Sequence, residues 1–147
     1  MNKILPHSIS TTKIVNENGR DVEICDFVIK KGTYLPASSE FEYEDDIIYT
    51  TTYDNQTVID NYIYEGEGKY PYENKLIGNF SLKNIPPKKK GEMKYKFVFK
   101  VDENGIISVE VSDLNNDNKE KFIIQNEKSF NKINSNLDLK YSDEPDL

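Results

Sequence analysis

The chain of 147 residues is long enough for one domain, which at this size buries about 68–70% of its unfolded surface, and scarcely long enough for two. A formal charge of −7 repels phosphate backbones, and no run of Lys and Arg interleaved with aromatics offsets it, so no nucleic acid is expected as a partner. Only 36% of residues are hydrophobic and ten Tyr with seven Phe supply much of that area, which suits half-buried strands better than long helices.

The first strand is predicted near Ile9 to Val15, and Asn16-Glu17-Asn18-Gly19 then offers residues that tolerate the positive φ of a reversal. A second strand follows from Val22 to Lys30. The third, Ile47 to Tyr53, and the fourth, Thr57 to Glu65, flank Asp54-Asn55, and the pair reads as a tight hairpin. After the break Gly66-Glu67-Gly68, strand five spans Leu76 to Leu82. Pro86-Pro87 and Lys88-Lys89-Lys90-Gly91 then form a loop, because proline has no ladder donor to give. The sixth strand is the clearest: Tyr95, Phe97, Phe99 and Val101 alternate with Lys94, Lys96, Val98 and Lys100, so one face is apolar and the other largely wet. Asp102-Glu103-Asn104-Gly105 marks a turn, Ile107, Val109 and Val111 alternate beyond it, and Phe122 to Gln125 is the last strand. About eight short strands separated by Asn, Asp and Gly clusters predict an all-β fold, a sandwich or a barrel. A β domain over residues 1–128 is followed by a polar tail, 129–147, whose only apolar spacing is Phe130, Ile133 and Leu137.

Chemistry is sparse. His7 and Cys25 are the only residues of their kinds, so no zinc ligand set assembles, and Cys25 in an alternating strand is expected to be a buried, inert thiol. Asp113, Asn115 and Asp117 carry the opening spacing of a calcium loop. No Gly follows, however, and Ile124 stands where the bidentate Glu is required, so a turn is expected. The acidic stretch Glu40 to Asp46 is expected to be a solvated loop with ordinary carboxylates. Two glycosylation-type triplets, at Asn55 and Asn79, are discounted as chance. No Gly-rich phosphate loop precedes a helix, and no nucleophile and base stand at plausible spacing. The expectation is a protein that is not an enzyme and holds no cofactor. No apolar run nears the roughly 20 residues that span a bilayer, and MNKILPHS lacks the apolar segment of a signal peptide. With a single cysteine as well, no membrane partner and a cytoplasmic, reducing setting are expected.

Several segments, in order and spacing, carry a resemblance. They are Tyr53-Asp54-Asn55-Gln56, Tyr64-Glu65-Gly66-Glu67, Leu76-Ile77-Gly78-Asn79-Phe80-Ser81-Leu82, Ile85-Pro86-Pro87, and the run from Phe97 through Asp102-Glu103-Asn104-Gly105 to Val109. Together they resemble the substrate-binding β-subdomain of the 70-kDa heat-shock chaperones over about Pro6 to Gln125. Pro6 to Ser10 looks like the family's opening strand, and Lys31 to Pro36 like the end of its second. The resemblance implies a two-layer antiparallel β-sandwich that holds an extended, unfolded peptide segment in a channel through main-chain hydrogen bonds and a central side-chain pocket. It puts Ile59 at the floor of that pocket and Ile14 with Thr52 at the arch over the peptide. Tyr49, Val58, Asn61 and Tyr95 line the channel, with Thr11 and Lys13 beside it on the first strand. Lys13 and Asn61 are polar where the family is mostly apolar, so the channel is expected to be less greasy.

The same resemblance makes an ATPase domain and co-chaperones candidate partners. The chain begins almost at strand one and its tail is too polar and short for a helical lid. ATP control is therefore expected from a separate domain, and peptide release is expected to be fast. The competing expectation is a docking module that keeps the sandwich and has lost the channel, a reading that Lys13 and Asn61 favour. If the strands run up and down in order, the turns at Asn16–Gly19, Asp54–Asn55 and Pro86–Gly91 share one end. The acidic stretch, Glu40 to Asp46, then lies at the other and does not steer peptide choice.

Overall fold

Alternating apolar side chains become strand in nine places in the computed structural model, which describes residues 3–42 and 45–124. The strands are β1 (Ile9–Glu17), β2 (Arg20–Ile29), β3 (Ala37–Ser38), β4 (Ile47–Thr50), β5 (Ile59–Glu65), β6 (Lys75–Leu82), β7 (Lys94–Val101), β8 (Ile107–Asp113) and β9 (Lys119–Ile124). A single helical turn α1 (Ser39–Glu42) lies between β3 and β4. The first reversal is tight because Asn18 and Gly19 hold φ of 54° and 83°, the left-handed pair that matches strand twist, and the Asn16 side-chain oxygen accepts from the Gly19 N–H at 3.1 Å. β1 and β2 therefore run two residues closer to the turn than alternation alone predicts.

Two antiparallel sheets face each other: β2-β1-β5-β6 and β3-β7-β8-β9, with β4 also pairing along β7. The all-β sandwich is thus the fold. Its ninth strand is the two-residue β3, which forms between the predicted second and third strands, just before the acidic stretch. The expected hairpin between the third and fourth strands does not form. β4 pairs with β7 in one sheet and β5 with β6 in the other, so Thr51 to Val58 is a crossing between layers. The acidic stretch is also not simply a solvated loop. Glu40 and Asp46 reach the Lys96 ammonium at 3.6 and 3.4 Å, and the Ser39 hydroxyl accepts from the Phe99 N–H at 3.0 Å. Held this way, Ser39, Glu40, Asp45 and Asp46 lie beside Lys96 and Val98 on the outer face of β7, and Val98 is buried on the face expected to be largely wet. The domain boundary expected at residue 128 and the polar tail lie outside the described residues.

The core lies between the layers. Phe97 and Phe99 of β7 are fully buried, and Phe80 of β6 packs against Phe97 and against Phe122 of β9, with ring centroids 5.7 and 4.8 Å apart. Burying each such ring contributes about 1.5–3 kcal/mol. Cys25 is buried as expected, with its sulfur 3.2 Å from the Asn74 amide nitrogen.

Candidate functional site

β1 pairs with β2 along its whole length, but among the described residues it pairs with β5 only through Ile9 opposite Glu65 and Ser10 opposite Tyr64. Beyond Ser10 the β1–β2 hairpin parts from β5. The β5-facing edge of β1 from Thr11 onward, and the β1-facing edge of β5 from Ile59 to Ile63, therefore carry backbone N–H and C=O groups outside any ladder. Open edges of this kind are templates for an added strand.

Both flanks of this opening are braced. On the hairpin side, the β5–β6 connection packs against β1 and β2: the Cys25 N–H donates to the Lys69 carbonyl at 2.8 Å, and the Lys69 ammonium reaches Glu17 at 2.6 Å. That connection is itself folded around Asn74, whose amide accepts from the Gly68 N–H at 2.9 Å and donates to the Gly68 carbonyl at 2.8 Å. On the crossing side, Gln56 is buried and spans Thr51 to Val58. Its side-chain oxygen accepts from the Thr52 N–H at 2.7 Å, and its amide nitrogen donates to the Val58 carbonyl at 2.8 Å. The Asp54–Asn55 turn is tied to the β6–β7 loop, with Asn55 N–H to Lys88 carbonyl at 2.7 Å and Lys90 N–H to Asp54 carboxylate at 2.8 Å. The expected grouping of three turns holds: antiparallel pairing of β1 with β5 and of β5 with β6 puts the first reversal, Asp54–Asn55 and Pro86–Gly91 at one end, where the last two meet and the first is braced by the β5–β6 connection.

The residues singled out from the sequence fall into three groups. Ile14 on β1 is 62% exposed and Thr52 is exposed at the crossing, each near the head of its braced segment. Thr11, Lys13 and Tyr49 gather around Asp26 of β2, a residue the sequence reading passed over. Asp26 stands opposite Thr11 in register; its carboxylate accepts from the Tyr49 hydroxyl at 3.3 Å and lies 3.6 Å from the Lys13 ammonium. Tyr49 belongs to the second sheet and Asp26 to the first, so this contact ties the layers together. The signal for Asp26 was present, since a carboxylate interrupts the apolar run from Ile24 to Ile29. Gln56 had no comparable signal, because nothing local distinguishes a buried loop glutamine from a wet one.

The third group faces the interior. Ile59, Asn61 and Ile63 alternate on the buried face of β5, and Ile59 at 9% exposure packs with the core, with half-buried Val58 just before it. Tyr95 is also in the core, opposite Tyr49 on β4 and Asp113 on β8. Burial, reinforced by the Asp113 and Glu120 carboxylates, pushes its phenol above the ordinary value, so it remains a protonated donor at neutral pH. Elsewhere, a surface groove of about 520 Å³ lies on the outer face of the second sheet between Phe41, Lys100, Ile106 and Lys121, away from these residues.

Among the described residues no cluster of His, Cys, Asp and Glu could hold a metal ion, and no helix is long and apolar enough to cross a membrane. At Asp113 the carboxylate caps the Asn115 N–H at 2.8 Å, which is the turn expected there. A family model described as Hsp70 protein matches residues 22–139, most of the chain.

Proposed function

The chain belongs to the Hsp70 protein family and its function is chaperone-related; from that premise we propose that it is a peptide-binding module that holds extended, partly hydrophobic polypeptide segments. The observation that carries this reading is the parting of β1 from β5 after Ser10, which leaves two facing strand edges with open backbone groups beside an apolar floor at Ile59. An extended segment laid between them gains main-chain hydrogen bonds from both edges, while its side chains meet Ile59, Val58 and Tyr49. Ile14 and Thr52, on the two braced flanks, close over its backbone. The role is one of binding and not of catalysis, with ATP handled by the family's separate ATPase domain; that domain and co-chaperones, in the cytoplasm, complete the proposed setting.

One observation favours the docking-module alternative. The Lys13–Asp26–Tyr49 contacts already join the two layers across the residues assigned to the channel. Titration of a fluorescently labelled, extended apolar heptapeptide separates the two. Saturable binding that unlabelled unfolded protein competes away is the expected result. Failure to bind at about 1 mM peptide, weaker than about 4 kcal/mol of affinity, would discard the peptide-holding reading.

A further inference from the structure

Asn61 sits on the buried face of β5 between Ile59 and Ile63 and opposite buried Phe80, and it is only 7% exposed. Its amide makes a single contact, from Nδ2 to the Ile59 carbonyl at 3.5 Å, which is at the limit of a hydrogen bond. The amide oxygen has no partner among the described residues. It is nonetheless not sealed in, because the only fully enclosed side-chain polar atom without a partner there is the Ser10 hydroxyl. Exchanging the amide's oxygen and nitrogen changes nothing in this account, since one end is left unpaired either way. Thr11 is comparable: it lies on the matching face of β1, is almost wholly buried, and its hydroxyl makes no hydrogen bond with a described residue. A nearly buried amide with one weak bond and an unpaired oxygen costs stability, and a segment entering beside Ile59 can offset that by bonding to it.

Resting on the peptide-binding reading, we infer that the central pocket selects a carboxamide side chain, Asn or Gln, on the bound segment in place of an aliphatic one. The chemistry favours an amide over a hydroxyl or a charge. Two carboxamides pair reciprocally, each giving one N–H and accepting one, and so satisfy both ends of Asn61 at once. An ammonium or carboxylate meets only one end and brings an unpaired charge against Ile59 and Ile63. A leucine leaves the Asn61 amide unpaired after water has been expelled.

The test compares extended heptapeptides identical except for a central Leu, Asn or Gln, titrated into the full chain and into Asn61→Leu, with thermal melts to establish that the variant folds. Wild type is expected to bind the Asn- or Gln-centred peptide about tenfold more tightly than the Leu-centred one, a ratio equal to about 1.4 kcal/mol. Asn61→Leu is expected to reverse that order. The wild-type comparison stands even if the variant does not fold. Equal affinities, or a preference for Leu, overturn this inference and leave the peptide-binding reading in place. A uniform loss for all three peptides in a folded Asn61→Leu assigns Asn61 to the main chain and also overturns it. Absence of binding by any peptide overturns both.

Discussion

Gln56 is the brace on which the crossing between the two sheets depends, and Gln56→Ala removes it without touching either sheet. The side chain is buried; its oxygen accepts from the Thr52 N–H at 2.7 Å and its nitrogen donates to the Val58 carbonyl at 2.8 Å. Each such bond contributes about 0.5–1.5 kcal/mol net, so losing both costs about 2 kcal/mol once water reaches the exposed Thr52 side. For a chain of this size that lowers Tm by about 4–8 °C. Hydrogen exchange supplies the local measurement, because the Thr52 amide loses its protection while amides in β7 and β8 keep theirs, apart from the global shift. Gln56→Glu separates the two bonds, since a carboxylate still accepts from Thr52 N–H but cannot donate to the Val58 carbonyl. It is expected to preserve Thr52 protection while losing part of the stability. A Gln56→Ala protein with Tm within about 1 °C of wild type and unchanged Thr52 exchange would refute the assignment of Gln56 as the brace.

Ile59→Phe fills the floor of the proposed channel and is expected to weaken peptide binding at least about tenfold, or 1.4 kcal/mol. Because Ile59 also packs with the core, overpacking should cost about 1–3 kcal/mol in the melt, and unchanged affinity in a folded variant would point to the docking module. Gly66→Ala places a Cβ against the Asn74 side chain at a φ of 139°, so it is expected to cost about 1–3 kcal/mol and to loosen the β5–β6 connection, read as faster exchange at Gly68 and Cys25. The Glu67 carboxyl is held below its ordinary value mainly by the Ser8 hydroxyl, which donates to it at 2.6 Å, and then by the Ser8 N–H. A lowered folded pKa contributes stability that is present above about pH 4.3 and is lost as pH falls through the folded value. The side chain is nearly half exposed, so screening keeps the effect small. Denaturation curves should show Glu67→Gln less stable than wild type at pH 6 and converging on it as pH falls through the lowered folded value, and a gap independent of pH would contradict the assignment.

The sequence by itself determined where the strands lie. The alternation Tyr95, Phe97, Phe99, Val101 and the Asn18-Gly19 reversal act through local geometry, because a period of two and a left-handed turn depend only on neighbouring residues. The boundaries slipped only at strand ends: pairing extends β1 and β2 by two residues at the first turn and begins β9 at Lys119, while the crossing stops β4 at Thr50 and starts β5 at Ile59. Tertiary structure decided which strands pair. Ile47 to Thr50 and Ile59 to Glu65 have the same apolar pattern whether they face each other or other strands, and only the fit of β4 onto β7 put them in different sheets. The same holds for the candidate site. The polar character of Lys13 and Asn61 was legible, while the placing of Ile14, Tyr49, Thr52 and Ile59 at a channel came from the family resemblance and belongs to the proposed function. The gathering of Lys13 and Tyr49 on Asp26 was not legible, because it joins side chains from β1, β2 and β4 that no sequence spacing relates. The parting of β1 from β5 was equally hidden, since strand divergence is set by how the β5–β6 connection and the Gln56 crossing hold the two flanks apart, and those are contacts between residues distant in the chain.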